Sequence, residues 1–496
     1  MLHDEYEPVI GLEVHCQLRT SSKLFSPEAA QGDGAPNTQV DPVSLGHPGT
    51  LPVLNKKAVA YAVRMGLATH CSIAEHSTFA RKHYFYPDLP KGYQISQHDM
   101  PLCYDGYLDV PAGAAAGDDP AAPTRRVHIT RIHLEEDAGK SMHSAGHTRV
   151  DYNRCGVPLI EIVTAPDVRH PREASRCLQT IRRIVRYLGI SDGTLADGSL
   201  RCDANISVRR RGHTALGTRT EVKNLNSIRH VADALTYEAL RHMRCHIRGA
   251  PVTQATLRWD AAAGQTRVLR TKEDAPDYRY MPDPDLPPVV VDEAMRTAQR
   301  EALPEMPDAR RERFINDIGL SPYAAGVLVE ERSVADYFED TLRALFKHTK
   351  GGDTTAQAQA VANFIMTNVL RERNERNTSI DALGVSPERL AELVYLRLDA
   401  RVSSSGAQDI FTALLETPNR SAEAIAEERN LLQVSDADAI RPVVDAVVAD
   451  HSDKVTTYRN GKQGLLGFFI GRVMDRFDGS PDPQVVRRLL KETLDA

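Results

Sequence analysis

The chain has 496 residues and carries 61 Lys and Arg against 67 Asp and Glu, a net charge of −6, which excludes a wholesale nucleic-acid coat. With 41% hydrophobic and 26% charged residues it has soluble globular composition, and at about 150 residues per domain it predicts two to four domains. Met1–Glu7 is acidic and lacks an apolar run, which predicts no signal or transit peptide. The apolar and glycine-rich stretch Gly464–Gly471 falls far short of the roughly 20 residues of a membrane span. Seven cysteines (Cys16, Cys71, Cys103, Cys155, Cys177, Cys202, Cys245) form no Cys-x-x-Cys pair. An odd, widely spaced set predicts reduced thiols in a cytoplasmic protein, neither a zinc ribbon nor a disulfide scaffold.

In chain order, Leu12, Val14, Cys16 and Leu18 alternate with Glu13, His15 and Gln17, which predicts a strand with one buried and one polar face. The Ala-, Gly-, Pro- and Asp-rich segment Asp109–Thr124 predicts a mobile surface loop. Leu159–Val163, an apolar run interrupted by Glu161, predicts a more buried strand, and Glu173–Leu188 a helix. Leu200–Val208 alternates again, with Arg201, Asp203, Asn205 and Ser207 on the polar face. Arg219, Glu221 and Lys223 alternate with Thr220 and Val222 in a further strand, and Ile228–Ile247 reads as a helix. All cysteines and the single Trp259 precede residue 260, and Pro282, Pro284, Pro287, Pro288, Pro304 and Pro307 mark a boundary behind them. Beyond residue 294 the pattern is helical. Ser386–Pro387 predicts an N-cap followed by Pro at the first helical position, with Leu390, Leu393, Val394 and Leu398 on one face. Ser403–Gly406 reads as a second boundary, and Ser435 with Asp438 as a capping box. No internal repeat or heptad run is visible.

Several constellations carry chemistry, each with a plainer alternative. Glu13 and His15 share a strand face about 7 Å apart, suited to Mg²⁺ or to an ordinary solvated face. Glu135, Glu136 and Asp137 concentrate oxygen ligands at a strand end; a solvated acidic turn is the alternative. The apolar phase changes between Ile129 and Ile132, so the pattern does not tell which acid faces Glu13. Gly139-Lys140-Ser141 looks like a P-loop end, but Leu134 stands where that motif needs glycine. Glu161, between Ile160 and Ile162, must be paired, protonated or metal-bound if buried. Acids and bases on one face of several strands suggest a sheet floor lined for metal and phosphate. Residues 79–107 hold seven of 28 aromatics, interleaved with Arg81, Lys82, His83 and Lys91, a pattern suited to RNA recognition or to an aromatic core with a polar rim. Residues 201–250 carry a local net charge of +6, for an RNA backbone or a solvated helix. Tyr458–Met474 combines Arg459, Lys462 and Arg472 with an apolar run and with Gly461, Gly464, Gly467 and Gly471, which permit close backbone approach.

Val9–His15, Arg81–Gln94, Leu134–Lys140, Arg201–Asn205, Glu221–Asn226 and Tyr278–Pro288 together give the chain a close resemblance, over nearly its whole length, to the GatB family, the B subunits of the aspartyl/glutamyl-tRNA(Asn/Gln) amidotransferases. The segment around Gly461–Lys462 resembles that family's YqeY-like tail. The resemblance implies an α+β fold: an N-terminal cradle (1–293) with an antiparallel sheet and helices, related to glutamine synthetase and guanido kinases, then a helical domain (294–402) and a small helical tail (403–496) that binds tRNA. It implies an ATP-dependent, glutamine-hydrolysing carbon–nitrogen ligase working as a heterotrimer with a glutaminase (the A subunit) and a small C subunit. The side-chain carboxylate of misacylated Glu-tRNA(Gln) or Asp-tRNA(Asn) would be phosphorylated from ATP, then amidated by ammonia that the glutaminase draws from glutamine.

On this resemblance Mg²⁺ and ATP are the expected cofactors. Glu13, His15, Glu136 and Asp203 are the expected catalytic and metal residues, with Glu135, Glu161 and Glu221 in reserve. Lys82, Lys140, Arg201 and Lys223 are the candidate phosphate contacts. Segment 81–93 would shape the pocket for the aminoacylated end, and Arg459, Lys462 and Arg472 would contact tRNA. Some family members carry a Cys-x-Cys and Cys-x-x-Cys zinc site. Here Ser26, Glu28, Asp41 and Ser44 occupy those positions, so no zinc is expected and the loop should be held by packing. Two other readings stay open: a non-catalytic RNA scaffold, which needs no convergence of acids, and a free-standing carboxylate kinase for a small molecule, for which the C-terminal helical domains are superfluous.

Overall fold

The computed structural model describes residues 4–30, 34–113, 123–271, 277–349 and 351–495. They form two compact units, Met1–Ala309 and Arg310–Ala496. In chain order the strands of the first unit are β1 (Tyr6–Gln17), β2 (Ser72–Ile73), β3 (His76–Ser77), β4 (Ala80–His83), β5 (Tyr93–Ser96), β6 (Cys103–Pro111) and β7 (Thr124–Glu136). They continue as β8 (Lys140–Ser144), β9 (His147–Asp151), β10 (Pro158–Thr164), β11 (Leu200–Arg210), β12 (Thr220–Lys223), β13 (Ala255–Asp260), β14 (Gln265–Thr271), β15 (Met281–Pro282) and β16 (Val289–Val290). Nine of them build one sheet in the order β14-β13-β12-β11-β1-β10-β7-β6-β2, antiparallel except for β12 and β13.

The two-residue period gives this sheet its two faces. Leu12, Val14, Cys16, Ile132, Leu134, Ile160, Ile162, Cys202, Ala204, Ile206 and Val222 are all buried in one apolar cluster. Helices α1 (Lys56–Ala68), α2 (Pro171–Tyr187) and α3 (Ile228–Ile247) contribute to that cluster with Val59, Ala62, Val63, Leu178, Ile181, Val185, Val231 and Leu235. Each fully buried Leu, Ile or Val contributes about 1.5–3 kcal/mol. Helix α2 begins where His170 accepts a hydrogen bond from Arg172 N and Pro171 takes the first helical position, and α3 where Ser227 accepts one from His230 N. The opposite sheet face is left to polar side chains from β1, β10, β7, β11 and β12.

Asp109–Pro111 and Thr124 are strand residues of β6 and β7 rather than loop, because Leu108 and Val110 alternate into the core. Of the rest of that expected loop, Ala112 N donates to Pro123 O at 2.7 Å, and 114–122 lies outside the described residues. All seven cysteines are free thiols. No described helix is long and apolar enough to cross a membrane.

The second unit is helical. Ser386 caps helix Pro387–Leu398 by accepting a hydrogen bond from Arg389 N. Ser403, read in the sequence as a boundary, instead caps helix Ser404–Glu416, and that helix feeds Ile410, Phe411 and Leu414 into a core running from Phe314 to Ala426. A second apolar cluster, Ile440 to Leu494, belongs to the last helices. Asp436, not Ser435, caps helix Ala437–Asp450; the Ser435 hydroxyl donates to Asp482 instead. Cβ atoms at Gly464, Gly467 and Gly471 would meet nothing within 4 Å, so these glycines bring no backbone of the chain close.

Candidate active site

Antiparallel register sets a row of four side chains across the polar face. Arg201 of β11 lies opposite His15 of β1, His15 opposite Glu161 of β10, and Glu161 opposite His133 of β7. Two positions along each strand, Asp203 lies opposite Glu13. Glu135 completes the centre: His15 Nε2 is 3.4 Å from its carboxylate and 3.7 Å from that of Glu161. One ligand atom from each of His15, Glu135 and Glu161 falls within 4.8 Å of the other two, close enough for the three to share one ion.

Electrostatics favour a cation there. Burial, then the Glu161 charge, pushes the Glu135 carboxyl far above its ordinary range. Burial also opposes the Glu161 charge, but the hydrogen bond with His133, at 3.1 Å, and the nearby Lys82 ammonium favour the ionised carboxyl and lower its pKa. Burial lowers the His15 pKa, leaving a neutral imidazole with a free lone pair. His133 Nδ1 is buried without a hydrogen-bond partner. Two carboxyl groups and an imidazole at these positions are a donor set that a divalent cation with oxygen preference fits.

The other expected residues divide by strand parity. Glu13 joins the polar face: Asn205 donates to it at 2.8 Å, and burial, then Glu161 and Glu221, raise its pKa. Asp203 is held by Lys223, whose ammonium is also 2.8 Å from Glu221. Glu136 does not join the cluster. It points from the other face, where it is buried against Lys91 and accepts Ile95 N at 2.9 Å. Glu135 and Glu161, held in reserve on sequence, are the acids brought to His15. A bulge explains the ambiguity, since Val163 pairs with Arg131 but Thr164 with Ile129, so Thr130 is skipped and the alternation of β7 changes phase. His133 is not among the site residues expected on sequence; its alternation with Glu135 is the available signal.

Among the basic residues, Arg201 donates to Asp137 at 2.9 Å, and Asp137 also accepts from Gln17 at 2.8 Å. Burial opposes the charge of Lys82, but Glu135, Tyr280, Tyr278 and Glu161 outweigh it and raise its pKa, which marks Lys82 as facing the cluster. Lys140 opens the β8–β9 hairpin and is exposed, apart from these acids. Two pockets adjoin the face. One of about 240 Å³ is walled by Gly11, Glu13, Pro166 and Leu216. The other, of about 400 Å³, is walled by Lys82, Tyr84, Phe85, Tyr86 and Tyr278.

Packing is not all that holds the loop where relatives of the resembled family place zinc ligands. The fully buried Lys23 ammonium donates to Gln39 O at 2.8 Å and lies 3.8 Å from Asp41. Asp41 accepts from Ser44 N at 2.9 Å and Ser44 Oγ at 2.6 Å. In the second unit, Arg459 donates to Leu494 O at 2.9 Å, Arg472 lies 5.4 Å from the Phe468 ring, and Lys462 is exposed.

Comparison with known proteins shows what the chain as a whole is similar to. Residues 8–297 match the family described as the GatB/GatE catalytic domain, and residues 345–494 the GatB domain. The chain is 63% identical to the aspartyl/glutamyl-tRNA(Asn/Gln) amidotransferase B subunit of Salinibacter ruber, over 100% of this chain and 98% of that one. It is 49% identical to the protein of the same name from Chlorobium limicola (99% and 100% covered) and 46% identical to that from Thermodesulfovibrio yellowstonii (99% of each).

Proposed function

The chain belongs to the GatB family, the B subunits of the aspartyl/glutamyl-tRNA(Asn/Gln) amidotransferases, and from that premise we propose that its acid-lined sheet is where the misacylated aminoacyl group is activated for amidation. The substrate is Glu-tRNA(Gln) or Asp-tRNA(Asn). Its side-chain carboxylate is a poor acceptor for ammonia because oxide would have to leave. An oxygen of that carboxylate attacks the γ-phosphorus of ATP, the bond to ADP breaks, and the acyl phosphate gains phosphate as a leaving group. Ammonia then displaces phosphate and forms the amide. A partner glutaminase supplies the ammonia from glutamine, and a small third polypeptide completes the assembly.

The observation that carries this reading is the convergence of His15, Glu135 and Glu161 on one ligand-sized space. These three residues would hold Mg²⁺. When bound, the ion supplies positive charge to the phosphoryl oxygens. His133 fixes the Glu161 carboxylate by its hydrogen bond. Lys82 and Arg201 bring positive charge from either side, and Asp203 with Glu221 orients Lys223. Glu13 borders the smaller pocket and flanks the cluster. The last helices, with Lys462 and Arg472 at the surface and Arg459 fastening the C-terminal helix, serve as the tRNA grip.

The test is release of the ATP γ-phosphate by the intact complex, with and without Glu-tRNA(Gln). Wild type should require the tRNA. Glu161→Gln, which keeps shape and removes charge, should lower turnover about 10²-fold or more with tRNA affinity unchanged, and Asp203→Ala should fall with it. Unchanged turnover in Glu161→Gln would overturn the site. Absent turnover in wild type with tRNA binding intact would favour the scaffold.

A further inference from the structure

Arg131 of β7 is a cation of the polar face that takes no part in its ion pairs. It alternates with His133 and Glu135, and the skipped Thr130 lies beyond it, so all three side chains belong to the same face of the sheet. Antiparallel register sets Arg131 in a second row across the strands. That row runs Asp203, Glu13, Val163, Arg131 and Tyr104 over β11, β1, β10, β7 and β6. It adjoins the row that holds His15, Glu161 and His133.

Among the described residues no carboxylate pairs with this guanidinium. Its neighbours across the strands are Val163 and Tyr104, and the diagonal acid, Glu161, is held by His133 at 3.1 Å. The Arg131 Nε is buried without a hydrogen-bond partner. Arg183, Arg201, Arg296 and Arg310 share that feature, but each commits a terminal nitrogen to a carboxylate, at 3.2, 2.9, 3.6 and 2.6 Å. On the acid face itself Arg201 is taken by Asp137, and Lys223 by Asp203 and Glu221. A half-buried guanidinium with an unmatched N–H is costly unless an anion completes it.

Register also says where that anion sits. Two strand spacings of about 4.8 Å separate Arg131 from Glu13, with Val163 between them. Val163 is short and apolar, so it offers an anion no competition, and it lines the smaller pocket beside Glu13. Two anions visit this face in the amidotransferase reading: the substrate carboxylate and the phosphates of ATP. The carboxylate is the nucleophile, and a guanidinium clamped on it would blunt its attack. The phosphoryl group in transit spreads charge over three oxygens, and the planar fork of Arg can hold two of them at once.

We propose that Arg131 is a catalytic residue of the phosphoryl step, its guanidinium gripping the γ-phosphoryl group of ATP above Val163 as that group passes to the carboxylate. A carboxylate oxygen bonds to the γ-phosphorus, the bond from that phosphorus to the bridging oxygen breaks, the electron pair leaves with ADP, and no proton moves. The proposal rests on the amidotransferase reading and adds a residue to it.

The test uses the intact complex carrying Arg131→Ala, Arg131→Gln or Arg131→Lys. Since Arg131 holds no carboxylate of the chain, the variants should assemble and bind misacylated tRNA as wild type does. Arg131→Ala and Arg131→Gln should lower tRNA-dependent ATP cleavage about 10²-fold or more. Arg131→Lys should fall less, because an ammonium keeps the charge without the fork. Millimolar guanidinium ion should raise turnover of Arg131→Ala several-fold and leave wild type unchanged, a recovery that a merely structural arginine would not show. Unchanged turnover in Arg131→Ala, or a loss that guanidinium does not relieve, would overturn the proposal. Should wild type fail to split ATP, the amidation reading falls, and binding of the non-hydrolysable analogue AMP-PNP then decides Arg131. Binding about 10-fold weaker in Arg131→Ala would uphold the phosphate contact, as loss of charge-assisted hydrogen bonds implies, and equal binding would sink it.

Discussion

Glu135 and Glu136 are neighbours with opposite duties, because successive strand residues point to opposite faces. Glu135 meets His15 at 3.4 Å in the acid cluster, whereas Glu136 neutralises the buried Lys91 and accepts Ile95 N. Glu135→Gln should therefore lower tRNA-dependent ATP cleavage about 10²-fold while leaving the denaturation midpoint nearly unchanged. Glu136→Gln should do the reverse. Stranding an ammonium that is 5% exposed costs about 3–5 kcal/mol, read as a lower midpoint in chemical denaturation, with turnover per folded molecule preserved. Residue identity alone does not separate these two acids. Their separation depends on Thr130, the residue the β7–β10 pairing skips.

At the scale of elements, helix α3 is fastened to the sheet through one carboxylate. Glu238 is fully buried and accepts from Thr220 at 3.2 Å, Thr266 at 2.6 Å and Arg241 at 2.7 Å, with His242 3.4 Å away. Burial opposes its charge, but the hydrogen bonds from His242, Arg241 and Thr266 hold its pKa down at about 2. A carboxyl whose folded pKa is depressed stabilises the fold above its unfolded pKa, and that contribution is lost as pH falls toward the folded value. Glu238→Gln should thus lower stability by about 1.5–3 kcal/mol at neutral pH. The gap to wild type should narrow between pH 4.5 and about 2 in thermal melts. The elements themselves are largely legible in the sequence: alternation marks β1, β11 and β12, and an apolar run marks β10, because burial on one face or both imposes those patterns. Ser403 and Ser435 mislead because a serine before a helix looks alike in a linker, a cap or a neighbour of the true cap, and only packing decides.

Among the described residues, three large apolar cores organise the chain: one behind the sheet, one from Phe314 to Ala426 and one from Ile440 to Leu494. The ordered motifs of the first core carry most of the resemblance to the amidotransferase family, while in the later cores only the segment around Gly461–Lys462 carries it. With the last core as tRNA grip, the double variant Lys462→Ala/Arg472→Ala should weaken tRNA binding. It should also reduce the salt slope of log affinity by about 2, with KM for ATP unaffected.

β1 is an interior strand of the sheet, yet it is synthesised before every strand it pairs with. Its polar face is completed by partners far along the chain; the contact between Glu13 and Asn205 spans 192 residues. Until β10 and β11 are made, Leu12, Val14 and Cys16 have neither edge paired nor covering helix. A nascent chain of this protein thus presents an open β edge for most of the synthesis of its first unit. Such high contact order predicts slow closure and exposure to aggregation. The acid cluster itself needs β7 and β10 laid beside β1, and β11 then adds Arg201 opposite His15 and Asp203 opposite Glu13.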